Sequence, residues 1–503
     1  MKIGEILINV ASCGLCFAIP HVAMSQKTKS LEEYNVVVFT ADDLGPAGMG
    51  LNSFGGEVKE LTPHLDSFAK KGVRFRNAHV NSAICMPSRG TIATGQYGFH
   101  SGHHGFIYAN EEVPTMMEQF QASGYQTGVL GKVAHSSAKF STRWDYYKLK
   151  KSLGSGRNPD KYYHYTKEFI QNCQQKNEPF YLMVNSHDPH RPYYDPQKGL
   201  QPGASHPSKV YSPDEVFIPK FLADLPQVRR EMSQYYSSTR RLDDTFKRVM
   251  DALSESSVLD HTIVIFLSDN GIAMPFSKAN CYLKSTQTSM FVYAPSLFKP
   301  HQVKDEYVST IDLYPTIMDL LKLSAPKEVD GASFLPLLKG KHQRDRNSVF
   351  TQIDYINRAG EYPMRCIQDK SYGYIFNPWS DGKRTYHNAN EGKVLQAMKE
   401  SVEMLHQKRV DLFRYRAVEE FYDLKSDPDC LNNLIDNPRF AKQVRQYRDK
   451  MRKTMKRTND PLISSFELLN TPEEMYVETH RIYTEVMPFR KGDNRKYEKS
   501  LRD

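Results

Sequence analysis

Four clusters of side chains fit for chemistry stand directly behind short apolar runs of this chain. They are Asp42-Asp43; Gly131-Lys132 with His135 just beyond; His187-Asp188-Pro189-His190-Arg191; and Asp269-Asn270-Gly271 with Lys278 further on. Asp42, Asp43, Asp269 and Asn270 supply only oxygen donors. Such a set suits Ca2+ or Mg2+ and disfavours zinc, which prefers His and Cys. Lys132, Lys278, Arg89 and the histidines His135 and His190 would add positive charge around that cation. A metal ringed by fixed cations makes an anion hole for phosphoryl or sulfuryl oxygens. A fifth segment, Cys85-Met86-Pro87-Ser88-Arg89 followed by Gly90-Thr91-Ile92-Ala93-Thr94-Gly95, sets a cysteine near an arginine. Read alone, Cys85 is a buried structural thiol or a thiolate nucleophile activated by Arg89 or a helix N-terminus. Each acidic pair taken singly is an ordinary turn or helix cap. Their shared position behind apolar runs is what marks them.

The elements that must position these groups are legible in the hydrophobic pattern. Val36-Val37-Val38-Phe39, Thr127-Gly128-Val129-Leu130, Phe180-Tyr181-Leu182-Met183-Val184 and Thr262-Ile263-Val264-Ile265-Phe266-Leu267 are continuous apolar runs. Runs of that length suit strands buried on both faces, as in a parallel sheet. Helical patterns lie between them, over 116–122, 229–253 and 311–321. Alternating strands and helices predict an α/β fold with a large, doubly wound, mostly parallel sheet. In such sheets ligands bind beyond the carboxyl ends of the strands, so the four clusters converge on one crevice. Past about residue 345 the pattern changes. Arg365-Cys366-Ile367-Gln368 and Tyr372-Gly373-Tyr374-Ile375-Phe376 read as paired antiparallel strands, 391–416 as helix, Glu420-Phe421-Tyr422-Asp423-Leu424 as a strand and 438–457 as a basic helix. The expected division is a leader over 1–25, a catalytic domain over 26–350 and a smaller α+β domain over 351–503 that ends in a charged tail.

Composition excludes other classes. Hydrophobic residues make up 39% and glycine 28 of 503 residues, which rules out a disordered or collagenous chain. The charge of +9 is scattered without a strong Lys/Arg block, so it permits an anionic partner and gives no reason to expect nucleic acid. No apolar run reaches the roughly 18 residues of a transmembrane span. The stretch 6–23, after Lys2 and before a polar segment, resembles a secretory signal and predicts export to the periplasm or medium. Val10-Ala11-Ser12-Cys13 also loosely resembles a lipoprotein cleavage box, but the apolar run continues past Cys13, so a lipid anchor is the lesser expectation. Loss of the leader removes Cys13 and Cys16 of seven cysteines and leaves an odd five, which is no disulfide scaffold.

The segment from Cys85 to Gly95 carries the C-x-P-S-R…T-G pattern. With it the chain resembles the type I sulfatases of the alkaline phosphatase superfamily over nearly all of its mature length. Within that family it is most similar to the sulfamidase branch, which acts on the N-sulfate of glucosamine in heparan sulfate and heparin. That closer likeness rests on His187-Asp188-Pro189-His190-Arg191, on Tyr362-Pro363-Met364-Arg365, and on Ser268-Asp269-Asn270-Gly271-Ile272 with Lys278-Ala279-Asn280. Phe421-Tyr422-Asp423-Leu424, followed by Asp427-Pro428 and Asn433-Leu434, resembles the closing motif of sulfatases generally.

The resemblance implies an alkaline-phosphatase-like fold and a maturation enzyme that oxidises Cys85 to formylglycine, whose hydrate is the nucleophile. It implies Ca2+ held by Asp42, Asp43, Asp269, Asn270 and the modified Cys85, with Arg89 stabilising the hydrate. Lys132, Lys278 and His190 would bind the sulfuryl oxygens, and His190 or Lys278 would protonate the leaving atom. His135 would take the proton whose loss expels sulfate and restores the aldehyde. A gem-diol supplies one oxygen to attack sulfur and a second to expel sulfate. Two departures leave the N-sulfate assignment open. Lys132 and His135 are separated by two residues, where sulfamidases have one and iduronate-2-sulfatase has two; Lys278 stands where sulfamidases carry Arg, and Lys is a point charge where Arg is a fork. Asp188, Arg191 and Arg365 are candidates for binding the substrate; for the two arginines the alternative is a salt bridge between the domains. His104, with His100 and His103, could line the pocket mouth or serve as an ordinary loop residue. The expected substrate is a sulfated saccharide, and a homodimer is implied by the sulfamidase likeness. The rival functions are a glycosaminoglycan O-sulfatase (6-O or 2-O), a phosphonate or phosphomonoester hydrolase on the same fold, and a non-catalytic glycan-binding relative.

Overall fold

Why four apolar runs become the middle of one sheet follows from their lack of a polar face. In the computed structural model, which describes residues 33–46, 60–106, 112–136, 144–356, 360–388 and 392–488, these runs lie in β1 (Asn35–Asp42), β3 (Gln126–Leu130), β5 (Phe180–Pro189) and β6 (Thr262–Ser268). Every residue of β1, β5 and β6 is buried. They sit side by side in the order β3-β5-β1-β6, all parallel, with Val36 opposite both Tyr181 and Ile263. Four further strands complete an eight-stranded sheet: β2 (Val73–His79), β4 (Tyr146–Lys148), β7 (Met290–Tyr293) and β8 (Gln302–Ser309), in the order β4-β3-β5-β1-β6-β7-β2-β8. Only β7 runs antiparallel to its neighbours β6 and β2. Alternate residues of β1 point to opposite faces, so helices must cover both. Val37 and Phe39 pack with Phe169 of α3 (Pro159–Lys176) and Phe246 of α4 (Pro226–Glu255). Val36 and Val38 pack on the other face with Met116, Phe120, Leu313 and Ile317. The doubly wound expectation is borne out.

The second sheet is antiparallel throughout: β9 (Ser348–Ile356), β10 (Gly360–Asp369), β11 (Tyr372–Phe376) and β12 (Glu419–Asp423), in the order β12-β11-β10-β9. The basic helix α5 (Ala441–Arg457) turns Val444, Tyr447, Met451 and Met455 onto Ile367, Tyr374 and Phe421 of that sheet. The helix expected over 391–416 is two helices, Gly392–Glu400 and Met404–Arg414. Between them Ser401 Oγ pairs with His406 Nδ1 at 2.7 Å and accepts from the Glu403 N–H at 3.3 Å, and such side-chain bonds compete with helix continuation. Among the described residues no helix is long and apolar enough to cross a membrane. The expected leader over 1–25 and the tail from 490 onward lie outside the described residues.

Candidate active site

The carboxyl ends of β1 and β6 meet, and they bring three carboxylates together. Asp42, Asp43 and Asp269 are all fully buried. Asp43 adopts a left-handed φ of 70°, which turns its N–H onto Asp269 Oδ1 at 3.1 Å. The Leu44 N–H is held by Ser268 Oγ at 2.9 Å. Asn270 donates Nδ2 to Asp43 Oδ1 at 2.7 Å and to the Gly271 carbonyl at 2.8 Å. That leaves Asn270 Oδ1 buried without a hydrogen bond, and Asp43 Oδ2 likewise.

Helix α1 (Cys85–Thr94) starts at this cluster and is buried at every position. Cys85 Sγ lies 3.4 Å from Asp42 Oδ1, 3.8 Å from Asp43 Oδ1 and 3.2 Å from Lys278 Nζ. Burial, followed by Asp42, Asp269 and Asp43, outweighs Lys278 and pushes the thiol well above its ordinary pKa. The carboxylates around it oppose a second negative charge, which works against the thiolate reading of Cys85. One turn along α1, Arg89 is fully buried. Its Nε and Nη2 donate to Asp269 Oδ2 at 3.1 and 2.8 Å, and its Nη1 to Thr40 Oγ1 and Asn185 Oδ1, both at 2.6 Å.

The remaining cations close in from two sides. Lys278 forms an ion pair with Asp43, and Lys132 forms one with Asp42. Lys132 follows Gly131 at the end of β3, and both have left-handed φ angles, 47° and 74°. His135 sits one turn further on, in α2 (Val133–Ser136), with its ring edge-on to Phe106 at 5.7 Å and its Nδ1 enclosed without a hydrogen bond. Burial, with Lys132 and Arg89 adding to it, holds His135 well below the usual imidazole range. The two-residue spacing from Lys132 therefore still leaves His135 within electrostatic reach of Arg89 and Asp42. His190, on the loop after β5, is partly exposed and points Nε2 at Asp43 Oδ2 across 3.8 Å. Burial pushes Asp42 and Asp43 upward, but Lys132, His190, Arg89 and Lys278 outweigh it and hold Asp42 well below the usual carboxylate range; Lys278 and His190 lower Asp43 in the same way. Asp269 is pushed up to about 7 by burial and then by Asp42 and Asp43, against the pull of Arg89.

Ligand atoms of Asp42, Asp43, Cys85 and His190 all lie within 4.8 Å of one another. Three crowded carboxylates beside Asn270 Oδ1, an amide oxygen buried without a hydrogen bond, fit a hard divalent cation. Cys85 Sγ is the fourth atom of that group.

Three residues expected at the substrate are used elsewhere. Asp188 is fully buried and accepts from Arg157 Nε at 3.2 Å and from Arg241 Nε and Nη2 at 2.7 and 2.9 Å. It braces the loop that carries His190 and is not presented to a ligand. Arg365 is also fully buried, donating to Asp460 Oδ2 and Oδ1 at 2.5 and 3.1 Å and to Asp354 Oδ1 at 2.8 Å. With its fork filled by two carboxylates it cannot hold a third anion. His104 is buried beside Tyr355, its ring near Asp354 and Arg365 and both nitrogens without a hydrogen bond. Arg191 is partly buried and pairs with Glu231 Oε1 at 2.7 Å over the ring of Tyr193. Sequence reasoning missed Thr40 and Asn185, which touch Arg89, and Arg157 and Arg241, which grip Asp188. The only signal for Thr40 and Asn185 was a polar residue directly after an apolar run.

Residues 34–323 match a family model described as "Sulfatase", and residues 273–404 match one described as "N-sulphoglucosamine sulphohydrolase, C-terminal". The N-sulphoglucosamine sulphohydrolase of Homo sapiens is 29% identical over 469 residues, spanning 85% of this chain and 91% of that protein. An ulvan-active sulfatase of Formosa agariphila is 27% identical over 433 residues, spanning 83% of this chain and 79% of that protein. Among solved structures, a protein in complex with its substrate D-glucosamine-2-N,6-O-disulfate aligns at a TM-score of 0.64 and 18% identity, over 85% of this chain and 98% of that one. The phosphonate monoester hydrolase of Agrobacterium radiobacter aligns at 0.60 and 17% identity, over 84% and 96%. At such identities the structural likeness speaks for the fold.

Proposed function

The chain belongs to the sulfatase family, and on that premise we propose that it removes sulfate from a sulfated glycosaminoglycan sugar, foremost the N-sulfate of glucosamine in heparan sulfate or heparin. Family membership makes it a sulfuric ester or sulfamide hydrolase. The observation that carries the finer reading is the position of Cys85 Sγ, 3.2 Å from Lys278 Nζ and 3.4 Å from Asp42 Oδ1, at the buried start of α1. The match of residues 273–404 to an N-sulphoglucosamine sulphohydrolase segment supports the substrate class.

Cys85 would carry formylglycine, formed by a maturation enzyme, and its hydrate would supply the nucleophile. Calcium, held by Asp42, Asp43, Asp269, Asn270 and oxidised Cys85, supplies positive charge against the transferring sulfuryl group. The chain's own residues do the rest. Arg89 fixes Asp269 through two hydrogen bonds and sets the start of α1 against the end of β6. Lys132 and Lys278 place ammonium groups on either side of the acidic cluster, where negative charge builds on the sulfuryl oxygens. His190, at the open edge, is placed to give the proton that the leaving nitrogen needs when an N–S bond breaks. His135, in the single-turn helix after Lys132, is the residue assigned to accept a proton. Arg191, which pairs with Glu231 at 2.7 Å, is the remaining sequence candidate for contact with a neighbouring substrate anion.

The test is turnover of matched disaccharides carrying either an N-sulfate or a 6-O-sulfate. Release of sulfate from the N-sulfated disaccharide is expected. Release from the O-sulfate alone would make the chain an O-sulfatase, a reading that Lys278 in place of the sulfamidase arginine keeps alive.

A further inference from the structure

Arg89, Lys132 and His135 come from three different elements, and one buried amide joins them. Asn185 lies in β5, fully buried and opposite Thr40 of β1. Its Oδ1 accepts from Arg89 Nη1 and Thr40 Oγ1, each at 2.6 Å. Its Nδ2 donates to the Gly131 carbonyl at 2.9 Å and to Ser136 Oγ at 3.1 Å. A carboxamide has two donors and two acceptor sites, so all of them are used. The amide's orientation is dictated by its partners. Arg89 only donates and the Gly131 carbonyl only accepts, so a rotated amide would set NH2 against guanidinium and oxygen against oxygen.

These bonds end where the active side chains leave the fold. Arg89 stands one turn beyond Cys85. Gly131 opens the turn in which Lys132 takes a left-handed φ of 47°, a conformation that a non-glycine residue keeps only when its surroundings hold it. Ser136 closes the single-turn helix that presents His135, and so short a helix has no stability of its own. The apolar run before Asn185 shows what β5 would carry for packing alone. A fully buried amide is tolerated because all of its polar groups are satisfied.

We infer that Asn185 is a positioning residue: it holds Arg89, the turn that aims Lys132 and the helix that presents His135 in one geometry, without touching substrate. The inference rests on the sulfatase reading. Misplacing a reacting group by about an ångström costs on the order of a hundredfold in rate, so a shared anchor for three such groups matters.

The test uses the full chain with Asn185→Asp, Asn185→Leu and Ser136→Ala. Aspartate keeps both acceptors and loses both donors, leucine loses all four bonds, and Ser136→Ala removes one. Three quantities are measured: kcat and KM on the disaccharide that the wild type turns over, the thermal midpoint, and calorimetric binding of inorganic sulfate. Asn185→Asp is expected to lower kcat by about 10- to 100-fold with KM within about threefold, Asn185→Leu to lower it further, and Ser136→Ala by about three- to tenfold. Sulfate affinity is expected to fall about tenfold in both Asn185 variants. A kcat within about threefold of wild type for Asn185→Asp, or a loss no larger than its loss of folded protein, overturns the inference. If neither Asn185 variant folds, wild-type kcat in Ser136→Ala overturns it. If the wild type releases no sulfate at all, the sulfatase reading fails by itself. Asn185 is then judged by sulfate binding, and unchanged affinity in a folded Asn185 variant overturns its role.

Discussion

Arg89 Nη2 and Asp269 Oδ2 meet at 2.8 Å in an ion pair from which water is fully excluded. The pair fastens the helix that begins with Cys85 to the end of the strand that delivers Asp269 and Asn270. Asp42 and Asp43 crowd the same space, so removing the guanidinium leaves Asp269 buried beside two further carboxylates without its donor. Breaking one partner out of a buried pair costs roughly 3–5 kcal/mol. Arg89→Met is therefore expected to destabilise the protein by about that amount and to abolish turnover, as read from denaturant unfolding and sulfate release. Unchanged stability would show that the pair is not formed in solution.

Cys85 is expected to be a structural precursor and not itself the nucleophile. Its thiol is pushed well above the ordinary range by burial and by Asp42, Asp269 and Asp43, which works against a thiolate. In protein from a host that carries the maturation enzyme, mass spectrometry of the Cys85 peptide should show aldehyde in place of thiol. Cys85→Ala should eliminate turnover with a thermal midpoint near that of wild type. Full activity with an intact thiol would sink the formylglycine mechanism.

The acidic cluster predicts calcium-linked stability. A cation that binds only the folded state at about 100 times its dissociation constant adds about 2.7 kcal/mol. Chelation should lower the thermal midpoint and abolish sulfate release, and added Ca2+ should restore both. Asn270→Ala removes a ligand oxygen that is buried without a hydrogen bond, so it should weaken calcium binding without disturbing the Arg89–Asp269 pair. A thermal midpoint indifferent to chelator and to calcium would argue against a resident cation.

What could be read from sequence followed the physics of each element. β1, β5 and β6 are buried along their whole length, and such strands show as unbroken apolar runs. β2 and β8 are partly exposed, with polar residues interleaved, and gave no run to find. Asp42, Asp43, Asp269 and Asn270 were legible because a parallel sheet sends the ends of neighbouring strands to one crevice. Arg365 and Asp188 were misread because their partners are remote. Arg365 meets Asp460, 95 positions away, and Asp188 meets Arg241, 53 positions away. A motif likeness names such a residue without showing which side chain fills its hydrogen-bonding sites.

Arg365 gives that lesson a measurable form. It lies between Asp354 and Asp460 with its face over the ring of Phe99 at 5.2 Å. If it bound substrate, shortening the fork to lysine would raise KM. Held as it is, Arg365→Lys should lower stability, by roughly 1–3 kcal/mol for the bidentate bond lost, and leave the KM of the folded fraction unchanged. Chemical denaturation and saturation kinetics on the same preparation separate the two readings. A raised KM at full stability would return Arg365 to the substrate.

His79 predicts an acid limb to stability that is independent of the active site. It is buried at the end of β2, with Nδ1 3.0 Å from Thr286 Oγ1 and its ring stacked on Tyr307 at 5.6 Å. Burial alone lowers its pKa to about 3. An unfolded histidine titrates near 6.5, so above that pH both states are neutral and the group contributes nothing to the pH dependence. As pH falls below about 6.5 the unfolded state takes up a proton that the folded state refuses, and stability is lost until the folded group also titrates. Each pH unit in that window removes about 1.4 kcal/mol, hence about 2–3 kcal/mol between pH 6.5 and pH 4.5. His79→Phe keeps a ring against Tyr307 and cannot take up the proton. The difference in unfolding free energy between wild type and His79→Phe should therefore shift by that amount between the two pH values, in favour of the variant at the lower one. A difference that does not change with pH would show that His79 is solvated or protonated in the folded protein.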